Sequence, residues 1–107
     1  MLTNRFTAWL FKRRVVKSLQ EKIWLDEIDI AYNKVGLRVC TDLLGQQKAD
    51  LMLVDPKDEK SAGLKQNIEA NIASLNNTKT QLEGILDTFT ARCDQLRQKL
   101  SYIKQKV

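Results

Sequence analysis

The sequence predicts an all-α protein, a long antiparallel helical hairpin with coiled-coil packing, and two observations support this fold class. Apolar residues recur with heptad spacing through the C-terminal half, and residues that favour turns are scarce throughout. One proline and four glycines in 107 residues are too few for the many tight turns of a β-sandwich or barrel. We expect a helix over about residues 4–52, a turn near residues 53–58 and a second helix over about residues 56–106, all within one domain of residues 1–107.

The second helix carries the clearest pattern, a coiled-coil repeat over residues 64–107. Its apolar residues alternate steps of three and four, which places them on one seam, the stripe along which two helices pack. Lys65 and Lys79 are the polar residues in this frame, and a lysine at a seam position lowers stability but can fix the register. The predicted seam consists of Ile68, Ile72, Leu75, Leu82, Leu86, Phe89, Cys93, Leu96, Leu100, Ile103 and Val107.

The start of the second helix is predicted near residue 56. Asp55 offers an N-cap acceptor, Pro56 suits the first helical position, and Asp58 lies where the helix dipole favours negative charge. Gly63 weakens the first turns without ending the helix.

The first helix is predicted from a weaker stripe, with three polar residues, Asp26, Asn33 and Gln47, at seam positions. Gly36 and Gly45 allow a bend, and residues 45–54 could be helix or connector. The stripe consists of Val16, Leu19, Ile23, Ile30, Leu37, Cys40, Leu44 and Leu51.

A second apolar stripe runs along the same helix, about 100° or more around its axis from the first. A single partner helix cannot cover both stripes, so we expect the hairpin to be completed by further helices from a second copy or from another protein. A bend at Gly36 or Gly45 is the alternative, because it would hide both stripes inside a three-helix bundle. The predicted partner-binding residues are Trp24, Ile28, Ala31, Val35 and Val39.

Charge is concentrated at the two ends of the sequence. Residues 1–22 carry six basic residues against one acidic residue, residues 92–107 carry five against one, and residues 23–91 carry seven against eleven. A hairpin brings both basic ends together, and four of the seven aromatic residues lie within residues 6–24. The segment 1–22 is therefore predicted to dock on an anionic or grooved surface. The predicted docking residues are Arg5, Phe6, Trp9, Phe11, Lys12, Arg13, Arg14 and Lys17.

Four uses of this basic aromatic segment stay open. The aromatic residues could pack over the end of the bundle, bind a membrane surface, or enter a protein groove. Nucleic acid is the fourth partner considered, because the basic charge suits phosphates although the sequence contains no nucleic-acid-binding motif.

The residues needed for catalysis are missing from the sequence, so we expect no enzyme and no cofactor. The chain has no histidine and no glycine-rich phosphate loop. The acidic cluster Asp26, Glu27 and Asp29 is interpreted as charge balance for the basic N-terminus, and Cys40 and Cys93 as small buried hydrophobes without a disulfide.

These patterns predict a non-enzymatic assembly or adaptor subunit that mediates protein–protein interaction within a multi-subunit complex. The alternatives are a peripheral membrane-binding protein anchored by the N-terminal segment and a nonspecific nucleic-acid-binding protein. No apolar run reaches the length of a membrane-spanning helix, and the N-terminal run lacks the order of a secretory signal. We expect a cytoplasmic protein, with the membrane surface as the alternative location.

Overall fold

Two long helices make up the fold. The computed structural model describes the backbone of residues 2–106 and the side chains of residues 5–106. Helix α1 spans Leu2–Leu53 and helix α2 spans Ser61–Lys106. They pack against each other in antiparallel orientation, which confirms the predicted all-α helical hairpin.

The packing of the hairpin divides into two compact units. Unit 1 is Met1–Ala31 with Asp87–Val107, so it combines the N-terminal part of α1 with the C-terminal part of α2. Unit 2 is Tyr32–Leu86 and holds the rest of both helices with their connection.

The residues of the predicted α2 seam lie on the less exposed side of the helix. The ten seam residues from Ile68 to Ile103 are all buried or half-buried, and Cys93 is the most enclosed at 1% exposure. Lys79 is half-buried within the same frame, whereas Lys65 is exposed. Val107 lies outside the described residues. The heptad positions from Ile68 to Ile103 therefore coincide with the packed face of α2.

The predicted seam of α1 is also buried or half-buried, including its three polar positions at Asp26, Asn33 and Gln47. Helix α1 runs without interruption through Gly36 and Gly45, so the predicted option of a bend is wrong, and with it the three-helix bundle. A glycine inside a helix lowers stability by only about 1 kcal/mol relative to alanine. Packing of the seam residues on either side of each glycine outweighs this loss.

The prediction that the second helix begins near Pro56 is wrong, because α2 begins at Ser61. The Asp55 side chain accepts a hydrogen bond from the backbone N–H of Lys57 at 2.9 Å, and Asp58 does the same for Lys60 at 3.0 Å. Each aspartate thus closes a local turn, with its own carbonyl accepting the N–H three residues on, at 3.2 Å and 3.0 Å. These consecutive turns reverse the chain before helical bonding can start.

Candidate functional site

The outer face of unit 1 is the side of α1 that points away from the seam in that unit. It carries Trp24, Leu25 and Ile28, which are 61%, 54% and 45% exposed, and the exposed Ala31. The rotation of 100° per residue puts Trp24 and Ile28 roughly opposite the buried Asp26. Three large apolar side chains on one exposed helix face form a surface of the kind that another protein chain covers.

The outer face of unit 2 is its equivalent on the following part of α1. It carries Tyr32, Val35, Val39 and Leu43, all of which are exposed, with Tyr32 at 78%. Val35 and Val39 were predicted as partner-binding residues and lie on this face. Tyr32 and Leu43 were missed, although each follows a predicted residue by four positions, Ile28 and Val39 respectively, and so repeats the same helical step.

The predicted docking residues lie near the N-terminal end of α1, in unit 1. Phe6, Trp9 and Phe11 are more than half exposed, and Lys12 is half-buried. The rings of Phe6 and Trp9 lie 6.1 Å apart, and the Arg13 guanidinium lies 5.6 Å from the Trp9 ring centroid. This geometry is that of a cation–π contact. The remaining predicted docking residues, Arg5, Arg14 and Lys17, are exposed.

The C-terminal part of α2 adds basic residues to the same unit, so the structure brings both basic ends of the chain together. The Lys106 ammonium lies 5.9 Å from the ring centroid of Tyr102, which is itself 62% exposed. Unit 1 contains eleven lysines and arginines against six acidic residues, whereas unit 2 contains seven of each. The net charge of +5 therefore belongs entirely to unit 1.

Two residues of the acidic cluster on α1, Asp26 and Glu27, pair with arginines of α2. The Arg92 guanidinium donates hydrogen bonds from Nε at 2.9 Å and from Nη2 to the two carboxylate oxygens of Asp26, and Arg97 pairs with Glu27. Arg92 also lies 4.7 Å from the ring centroid of Phe89. The basic residues of the N-terminus lie on the same helix as the cluster, whereas α2 presents its arginines directly across the interface.

The ion pair between Asp26 and Arg92 shifts the pKa of both groups. Hydrogen bonds from Arg92 hold the pKa of the Asp26 carboxyl below its ordinary value of 3.8, and burial opposes the shift only partly. The same hydrogen bonds raise the pKa of Arg92. Both groups therefore stay charged at neutral pH, where Asp26 is a weaker base than an ordinary carboxylate and Arg92 does not release its proton.

Both cysteines are free and buried at the seam. Burial raises the pKa of the Cys93 thiol above its ordinary value, so the reactive thiolate is disfavoured at neutral pH. This chemistry fits the interpretation of the two cysteines as small hydrophobes.

Among residues 2–106, no three histidine, cysteine or acidic side chains are placed to hold a metal ion together. Neither helix, over its described length, contains a segment both long enough and apolar enough to cross a bilayer.

No protein-family model matches the chain, and no curated protein or solved structure shows significant similarity to it. Its function must therefore be inferred from its own residues.

Proposed function

We propose that the chain is a non-enzymatic assembly subunit whose α1 recruits a further helix from a second copy or from another protein. The observation that carries this proposal is that α1 is apolar on two opposite sides. In each unit, one side of α1 forms the seam with α2 and the opposite side is apolar and exposed to solvent.

The energetic argument follows from the size and exposure of these side chains. Fully burying a large apolar side chain contributes about 1.5–3 kcal/mol relative to leaving it in water. Trp24, Val35 and Val39 are each about half exposed or more, so each offers a substantial part of that gain to a partner helix. Because α1 is continuous through Gly36 and Gly45, residues 2–106 form α1 and α2 and place no further helix over these faces.

The proposal is tested by the mass of the purified chain, measured by light scattering coupled to size exclusion over a concentration series. We expect a dimer or larger species that persists on dilution. The double substitution Trp24→Gln with Val35→Gln should convert it to a monomer of unchanged helicity, because both side chains are exposed and lie away from the seam.

A matched control removes two exposed apolar side chains that are not on α1, Leu64→Gln with Ile85→Gln, which are 56% and 40% exposed. This variant should keep the mass of the wild type. A wild-type monomer at every concentration would rule out self-assembly, and equal dissociation of both double variants would argue against a specific role for the outer faces.

A peripheral membrane protein is the second candidate, favoured by the exposed Phe6, Trp9 and Phe11 beside basic side chains. Aromatic rings next to arginine and lysine suit the interface between headgroups and acyl chains. Flotation with vesicles containing phosphatidylserine tests it. Trp9→Gln with Phe11→Gln should abolish flotation, whereas Met52→Gln with Leu53→Gln, a change of two still more exposed residues, should not. Absence of flotation by the wild type would exclude this candidate.

A further inference from the structure

A groove between α1 and α2 in unit 1 lies apart from the outer face of that unit. One part has a volume of 660 Å³ and is lined by Val15, Leu19, Gln98, Lys99, Tyr102 and Ile103. A second part, of 260 Å³, is lined by Ala8, Phe11, Lys12, Val15 and Ile103. Because both parts share Val15 and Ile103, they form one groove that follows α1 from Ala8 to Leu19, about 17 Å at the rise of an α-helix. We name it the basic-rimmed groove.

The floor of the basic-rimmed groove is apolar. Val15, Leu19 and Ile103 belong to the packed side of the hairpin and yet remain only half-buried. Phe11 and Tyr102 are 69% and 62% exposed. A third helix laid between α1 and α2 would cover these surfaces, as in a helical bundle.

The charge around the groove selects the kind of partner. Lys12 and Lys99 line it, Lys106 lies against the Tyr102 ring, and no acidic residue is among the side chains that line either part. The surrounding unit carries the whole net charge of +5. The basic rim of a second copy's groove would be repelled from this rim, whereas an acidic segment would be attracted to it.

We infer that the basic-rimmed groove binds an acidic amphipathic helix of a partner protein. The partner's apolar stripe lies on Val15, Leu19 and Ile103, and its carboxylates lie beside Lys12 and Lys99. This is the helix-in-groove mode of recognition, in which apolar anchors supply affinity and flanking charges supply selectivity. The length of the groove, about 17 Å, corresponds to about three turns of a helix laid along α1, which suits a helical partner.

The test uses the full-length chain and three labelled helical peptides of about 18 residues, or about five turns. They share the same leucines at heptad spacing and differ only in their flanking residues, which are all Glu, all Gln or all Lys. Fluorescence anisotropy at physiological salt should show that the Glu peptide binds at least ten-fold more tightly than the Gln peptide, with no measurable binding of the Lys peptide.

Two double variants separate the groove from general electrostatics. Lys12→Glu with Lys99→Glu should reverse the preference, so that the Lys peptide binds more tightly than the Glu peptide. Lys17→Glu with Lys104→Glu changes the net charge equally at exposed positions that do not line the groove, and should keep the original preference. Tyr102→Gln should weaken binding of the Glu peptide several-fold without a change in helicity.

Three results would overturn the inference. The Glu peptide could bind no better than the Lys peptide, the control variant could reverse the preference as well, or Tyr102→Gln could leave affinity unchanged. A further experiment measures binding of the chain to vesicles containing phosphatidylserine. Loss of vesicle binding by Lys12→Glu with Lys99→Glu, without any change of peptide preference, would assign the groove to a membrane surface and also contradict the inference.

Discussion

Asp26 shows how a charged residue can occupy a seam position that the heptad pattern reserves for an apolar one. It is 4% exposed, and both of its carboxylate oxygens accept hydrogen bonds from Arg92. The guanidinium in turn stacks on Phe89 while keeping an exposed edge. A shift of one residue between α1 and α2 in unit 1 would leave the carboxylate buried and unpaired, which costs far more than a slip between apolar residues. The pair therefore favours this register over a shifted one.

We predict that Asp26→Asn destabilises the chain by about 1–2 kcal/mol at pH 7, because it removes charge-assisted hydrogen bonds from a buried site. The folded-state pKa of Asp26 is lowered, so its contribution is fully present above its ordinary value near 3.8 and is lost as pH falls through the lowered pKa. Urea unfolding followed by circular dichroism at several pH values should show the variant and the wild type converging in strong acid.

The matched control is Glu27→Gln, which removes an ion pair to Arg97 between two half-exposed side chains. Exposed pairs contribute little, so this variant should stay close to the wild type at pH 7. A difference between Asp26→Asn and the wild type that persisted unchanged at pH 2 would contradict the pKa argument, and an equally large loss in Glu27→Gln would contradict the role given to burial.

At the scale of the helices, sequence periodicity pointed to the seam positions and to part of each outer face. It succeeded because a helix repeats every 3.6 residues, so the face on which a residue lies follows from its position alone. The start of α2 and the partner of Asp26 did not follow from it. Asp55 suits an N-cap as well as a local turn, and the sequence alone does not distinguish between these two roles. The pairing of Asp26 with Arg92 depends on the axial alignment of two helices, which only the connection and the packing determine.

The seam of α2 contains one lysine whose burial can be tested. Lys79 is half-buried, so its stem packs while its ammonium reaches water. We predict that Lys79→Leu stabilises the chain by about 1 kcal/mol, measured by urea unfolding, because an apolar side chain fills the seam position without carrying a charge into it.

Lys65 provides the control for this substitution, because it lies in the same heptad frame but is exposed. Lys65→Leu should change stability little. An equal increase in the free energy of unfolding in both variants would mean that added apolar surface stabilises the chain in general. A larger mass for Lys79→Leu in light scattering would show instead that Lys79 limits association of the hairpin.

At the scale of the whole molecule, charge and apolar surface are distributed differently between the units. Both units expose an apolar face on α1, but only unit 1 carries net charge. Nonspecific binding to a polyanion depends on a local patch of lysine and arginine, because each neutralised phosphate releases counterions. Any such binding by this chain should therefore belong to unit 1, whereas apolar association can involve either unit.

We predict that the affinity for duplex DNA at low salt depends on the basic residues of unit 1 and not on the net charge of the chain. Arg14→Glu with Lys104→Glu in unit 1 should weaken binding and flatten the slope of log affinity against log salt by about 2 if both side chains reach phosphates. Lys48→Glu with Lys57→Glu in unit 2 changes the net charge equally and should leave the slope unchanged. Equal losses of DNA affinity and equal changes of salt slope in the two variants would contradict a localised basic patch. Wild-type binding that survived about 200 mM salt would favour nucleic acid as a true partner, because a purely electrostatic contact weakens steeply over that range.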